Sequence, residues 1–271
     1  MTPVAEIIRG QGPLIVSMPH IGREIPAAIS AILTSSARNT PDADYHIDAL
    51  YDFLDRENVT IVKSTYSRYV VDVNRPRSGE NLYPGRPASG PCPLTTFEGE
   101  AIYLAGHEPD EAEEGERLDV YWSAFHRVLQ AEIDRVRAAH GFALLWDAHS
   151  IKARLPRLFE GKLIDFNFGT NSGLSCAPQF GERLCRIAEQ AGYTAVLDGR
   201  FKGGFITRHY GKPTESVYAV QLELSWDTYL DDRTLELDPQ LAPKVIPVLK
   251  ALIAEVQREC LRLAQEGPSS K

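Results

Sequence analysis

The chain has 271 residues, of which 43% are hydrophobic and 24% charged, and carries a net charge of −8. That length suits one α/β domain over residues 1–271, with enough core to fold without disulfides. The acidic balance and the lack of any lysine- or arginine-rich run argue against a nucleic-acid surface, and no apolar run approaches the roughly 18 residues of a membrane span.

In chain order, residues 14–17 read as a strand that leads to His20, and Pro26 opens a helix to about residue 36. Ile47, Leu50, Tyr51 and Leu54 fall at helical spacing and predict a helix over 45–56. Segments 59–63 and 69–73 are β-branched and strand-like. Residues 75–93, rich in proline and glycine, have the length of a binding loop or lid. An amphipathic helix over 118–139 precedes a strand over 142–146 that runs on to His149. Residues 156–178 read as irregular, with an edge hairpin near 163–168, before a helix over 180–191 and a strand over 194–197. A glycine- and arginine-rich loop spans 198–210, a last core strand covers 217–224, and a helix over 239–265 closes the chain ahead of a disordered tail near 267–271. Alternating strands and helices predict a single α/β domain with a mixed, mostly parallel sheet flanked by helices.

Residues 1–6 lack the basic-then-apolar order of a secretory signal. Cys92, Cys176, Cys185 and Cys260 form no Cys-x-x-Cys pair and read as reduced thiols of a cytoplasmic protein. Cys176 lies in a loop-like stretch without a neighbour in sequence to lower its pKa, so a nucleophilic role is a minor alternative.

The chemistry concentrates where strands end in histidine. The carboxyl ends of strands in an open α/β sheet line the ligand crevice, so His20 and His149 there can grip one metal ion, against the alternative of a capping histidine or a satisfied polar strand end. Asp147, two residues before His149 on the same side of the strand, can fix its ring tautomer. Glu223 interrupts an apolar strand, and a buried carboxylate needs a partner or a task. Asp44 and Asp48 flank a helix start, where aspartate is common for dipole reasons alone, and one of them can complete a site of two histidines and a carboxylate. Arg68, Asn74 and Arg75 suit carboxylate recognition by a planar guanidinium, with surface ion pairing as the plain alternative. Residues 207–211 form a second cationic, glycine-flanked loop.

Taken in order, Pro19-His20-Ile21-Gly22-Arg23-Glu24, the 67–76 block, Asp147-Ala148-His149-Ser150, Asn167-Phe168-Gly169-Thr170, Thr207-Arg208-His209-Tyr210-Gly211 and Gln221-Leu222-Glu223-Leu224 resemble the N-formylglutamate amidohydrolases over about residues 13–229. More distantly they are similar to zinc carboxypeptidases and aspartoacylase-like deacylases. The resemblance implies a zinc-carboxypeptidase-like (phosphorylase/hydrolase-like) fold and hydrolysis of N-formyl-L-glutamate to formate and L-glutamate in histidine degradation. It further implies Zn2+, or another divalent metal such as Co2+, on His20 and His149, with Glu223 as general base. Arg68 would stabilise the oxyanion, and Asn74, Arg75, Arg208 and Tyr210 would bind a small acidic acyl-amino acid. Arg23 replaces the glutamate of the related His-x-x-Glu motif and Glu24 comes one residue late. The third ligand therefore lies between Asp48 and Glu24, with Asp48 preferred because its helix start can face the crevice. Two other functions stay open: removal of an acetyl or succinyl group from an acidic amino acid, and metal-free binding on the same scaffold.

Overall fold

Seven strands form one sheet: β1 (Ala5–Ile8), β2 (Leu14–Met18), β3 (Thr60–Ser64), β4 (Ala143–Ile151), β5 (Phe166–Gly169), β6 (Ala195–Leu197) and β7 (Val217–Ser225), in the order β1-β3-β2-β4-β7-β5-β6. The computed structural model describes every residue except 1, 83, 84, 86–88 and 267–271, so the predicted disordered tail lies outside the described residues. Strands β3, β2, β4 and β7 run parallel, and β1 and β5 pair antiparallel to β3 and β7. This is the mixed, mostly parallel sheet predicted above.

The helices are α1 (Ala27–Ile32), α2 (Ser35–Arg38), α3 (Ile47–Leu50), α4 (Glu111–Arg117), α5 (Ser123–His140), α6 (Pro178–Gln190), α7 (Phe205–Tyr210) and α8 (Ala242–Glu266). Side chains alternate across a strand, and the core divides accordingly. Val16, Trp146 and Leu222 point to the face covered by α3, α6 and α8. Ile15, Leu145 and Ala219 point to the face covered by α5 and α7. Every residue of β4 is buried, as a central strand covered on both faces requires.

Several predicted elements differ. Residues 69–73 are not a strand: Val70, Val71 and Val73 are buried, but Asp72 N donates to Pro91 O rather than to a ladder partner. Their β-branched character reflects burial, not pairing. The 163–168 stretch is no edge hairpin, since β5 lies inside the sheet between β7 and β6. The predicted helix over 45–56 begins only at Ile47, because His46 takes a left-handed φ of 59°. The predicted loop over 198–210 contains α7.

Candidate active site

Three adjacent parallel strands, β2, β4 and β7, open their carboxyl ends onto one crevice. His20 follows β2, His149 lies in the last turn of side chains on β4, and Glu223 occupies the matching place on β7. The β4–β7 register sets His149 opposite Glu223 and Asp147 opposite Gln221. All four point to the α5/α7 side, because their neighbours Trp146, Ala148, Leu222 and Leu224 belong to the opposite core. Just past His20 the backbone runs so close to residues 65 and 66 that a Cβ on Gly22 would meet Tyr66 O at 2.5 Å. Only glycine fits that turn.

Asp44 joins the histidines through the main chain: its N–H donates to His20 O at 2.9 Å. Its Oδ2 then lies 3.0 Å from His149 Nδ1 and 3.9 Å from His20 Nδ1. The two imidazole centroids are 4.9 Å apart, and one ligand atom from each of His20, Asp44 and His149 falls within 4.8 Å of the others. The far nitrogens face carboxylates. His20 Nε2 is 2.8 Å from Asp72 Oδ1, and His149 Nε2 is 3.2 Å from Asp147 Oδ2. Two imidazoles and a carboxylate are a zinc-type donor set. Carboxylates behind the rings are the support that keeps Nδ1 directed at an ion. The residues present therefore fit the divalent metal that the family resemblance implies.

Buried charge is balanced locally. Burial would raise the Asp72 carboxyl, but Arg68 and His20 outweigh it and hold it well below the usual range. Arg68 Nη2 donates to Asp72 Oδ2 at 2.6 Å. Burial opposes the charge on Arg68 too, yet Asp72, Asp44 and Asp42 raise its pKa further. Burial likewise opposes the His149 imidazolium, and Asp147 and Asp44 overcome it, lifting the ring well above the ordinary histidine value. His20 moves down, through burial and then Arg68. Glu223 moves up, through burial that the His149 charge only partly offsets.

His20, Arg68, Asn74, Arg75, His149 and Glu223 all line one cavity of about 480 Å³. Other predicted residues fall elsewhere. Asp48 is exposed in the first turn of α3, because the helix starts after Asp44 rather than containing it. Glu24 is exposed, and its backbone pairs with Thr65 and Ser67. Neither predicted third ligand lies with the histidines; the carboxylate that does is Asp44. Arg208 sits outside the cavity lining and donates from Nε to Gly203 O at 2.8 Å. Tyr210 is buried in the core beneath α5, its hydroxyl 2.8 Å from His126 Nδ1. Neither lines the cavity. Asn74 lines the cavity, but its amide is engaged by Ile206 N at 2.8 Å and by His149 Nε2 at 2.9 Å. Its Oδ1 is thus taken by a backbone N–H, and its Nδ2 sits beside the His149 ring. Cys176 is buried, and burial pushes its thiol up. Arg157 and Arg200 also line the cavity. Sequence reasoning did not single them out, although Arg200 lies in the arginine-rich 198–210 stretch. The four cysteines are free and buried, and no helix among the described residues is long and apolar enough to cross a membrane.

The family model described as N-formylglutamate amidohydrolase matches residues 12–230. An N-formylglutamate deformylase of Pseudomonas putida is 45% identical over 255 residues, 93% of this chain and 95% of the relative. One from Pseudomonas aeruginosa is 46% identical over 236 residues, 86% of this chain and 88% of the relative. The crystal structure of N-formylglutamate amidohydrolase from Ralstonia eutropha JMP134 superposes with a TM-score of 0.81 at 23% identity, covering 96% of this chain and 99% of that one.

Proposed function

The chain belongs to the N-formylglutamate amidohydrolase family, and on that footing we propose that it hydrolyses N-formyl-L-glutamate to formate and L-glutamate, with a divalent metal held by His20, Asp44 and His149. The observation that carries the proposal is the pairing of that three-donor cluster with a buried glutamate on the next strand, facing His149.

A zinc- or cobalt-class ion, when bound, supplies Lewis-acid activation of water and of the formyl carbonyl. The remaining steps belong to the chain's own residues. Glu223, as carboxylate, takes a proton from the attacking water while the new C–O bond forms. The C–N bond then breaks, and Glu223 returns that proton to the departing amine nitrogen. Burial favours a protonated Glu223, which suits it to the second half of this exchange. Arg68, held charged by Asp72 at the cavity wall, offers N–H groups to the oxyanion that develops on the formyl oxygen. Asp72 and Asp147 fix the two imidazole rings.

The substrate carries two carboxylates, and the protein a net charge of −8, so binding depends on local cations. Arg75 meets one carboxylate and Arg200 the other, taking the place predicted for Arg208. The test is formate release from N-formyl-L-glutamate set beside acyl release from N-acetyl- and N-succinyl-L-glutamate, with metal loaded and after chelation. The formyl compound should be cleaved fastest, and only with metal. Faster cleavage of either larger acyl group, or full activity after chelation, would overturn the assignment.

A further inference from the structure

Between α4 and α5 the chain makes one π-helical turn, Leu118–Trp122. Such a turn inserts an extra residue, swings the side chains around it to a new bearing, and recurs at functional sites. Trp122 closes the turn, and His126 lies four residues on, on the same helix face. Both reach the same short segment. Trp122 Nε1–H donates to Arg75 O at 2.9 Å, and His126 Nε2 lies 2.8 Å from Val73 O. A carbonyl only accepts, so His126 carries its proton on Nε2, and Nδ1 accepts from the Tyr210 hydroxyl at 2.8 Å. Burial keeps this imidazole neutral, with its pKa down to about 3.

The other attachments come from α7. Phe205 N–H donates to Asn74 O at 3.4 Å, and Ile206 N–H donates to Asn74 Oδ1. The rings of Trp122, His126 and Phe205 pack together, with Trp122–His126 centroids at 3.9 Å and His126–Phe205 at 5.3 Å. Residues 73–75 belong to no helix or strand. Their three carbonyls are nonetheless engaged, at Val73 by His126, at Asn74 by Phe205 N–H and by Arg75 Nη1 at 3.1 Å, and at Arg75 by Trp122. The geometry of this segment is imposed by α5 and α7, and its last residue is an arginine that lines the cavity.

We propose that Trp122, His126 and Tyr210 are positioning residues that hold the 73–75 segment so that Arg75 presents its guanidinium to a substrate carboxylate. The Tyr210 hydroxyl acts through His126 and does not touch the substrate. The inference rests on the carboxylate-binding role given to Arg75 above.

The test compares Trp122→Phe, Tyr210→Phe, Arg75→Ala and the double variant Arg75→Ala/Trp122→Phe, measuring kcat, KM for N-formyl-L-glutamate and melting temperature in the metal-loaded enzyme. Trp122→Phe keeps an aromatic ring and loses the donor. It should raise KM about three- to tenfold, the span of one ordinary hydrogen bond, with kcat within about twofold of wild type. Tyr210→Phe should move KM the same way and serves should the tryptophan variant fold poorly. In the Arg75→Ala background Trp122→Phe should add no further rise in KM, because two residues acting through one contact are not additive. An unchanged KM in both single variants, or a full multiplicative rise in the double variant, would overturn the positioning role while leaving the Arg75 assignment intact. An unchanged KM in Arg75→Ala would overturn the carboxylate assignment itself, and the positioning role with it.

Discussion

His149 and Glu223 face each other across the parallel β4–β7 ladder, so a member of the donor cluster and the proposed general base are fixed by one backbone register. Slipping β7 by one residue against β4 would turn Glu223 to the opposite core while His149 kept its place. This relationship makes Glu223→Gln a sharp probe. The amide keeps the size of the side chain and loses the proton acceptor. The variant should fold, bind metal, and lose most of the roughly 10²–10⁴-fold that general acid–base catalysis supplies. Parallel measurement of kcat, metal content and melting temperature checks it. A near-normal kcat at full metal content would remove Glu223 from the chemistry.

The same residue predicts a pH effect on stability. Burial raises the Glu223 pKa from its ordinary value of 4.5 in the folded chain. The fold thus favours the protonated form. Its stabilising contribution is fully present below 4.5 and is lost as pH rises from there through the raised folded value. Glutamine cannot ionise and escapes this loss. In metal-stripped protein, Glu223→Gln should therefore gain in melting temperature relative to wild type as pH rises from about 5 to 8. A gap between the two melting temperatures that stays constant across the range would contradict the buried, protonated glutamate.

Gly204 offers a stability test of the packing behind His149. A Cβ there would lie 2.4 Å from Asn74 Nδ2 and 2.6 Å from Asn74 Oδ1. The backbone φ of −80° suits any residue, so the cost comes from contact alone. The amide is pinned between Ile206 N and His149, and cannot easily retreat. Gly204→Ala should cost about 1–3 kcal/mol of unfolding free energy, the usual range for overpacking, measured by denaturant titration, and should lower activity. Unchanged stability would show that the Asn74 amide is free to move.

Much of this was legible in the sequence because parallel α/β sheets bring strand ends together. A histidine after residues 14–17, a second after 142–146, and a glutamate within 217–224 were enough to bring His20, His149 and Glu223 to one crevice. What failed was local register. Periodicity over 45–56 put Asp44 and Asp48 about the start of one helix, but the left-handed His46 delays that start. Asp44 therefore stays in a turn tied to His20, and Asp48 points to solvent. Residues 69–73 read as a strand because valine fits both a ladder and a core, and only tertiary contacts distinguish them. Arg208 and Tyr210 lie within a block that resembles the family, yet α7 directs the tyrosine into the core and leaves the arginine outside the cavity lining. No sequence pattern announced that helix, which spans only six residues.

The most direct test of the account is the metal content of three proteins purified and dialysed alike: wild type, Asp44→Asn and Asp48→Asn, each equilibrated with zinc and measured by atomic emission. The two aspartates are four residues apart, but only Asp44 is buried within reach of both histidines. Wild type and Asp48→Asn should each retain about one zinc per chain, and Asp44→Asn should lose nearly all of it, in keeping with a three-ligand zinc site. Full zinc in Asp44→Asn, or its loss in Asp48→Asn, would contradict the His20, Asp44 and His149 site.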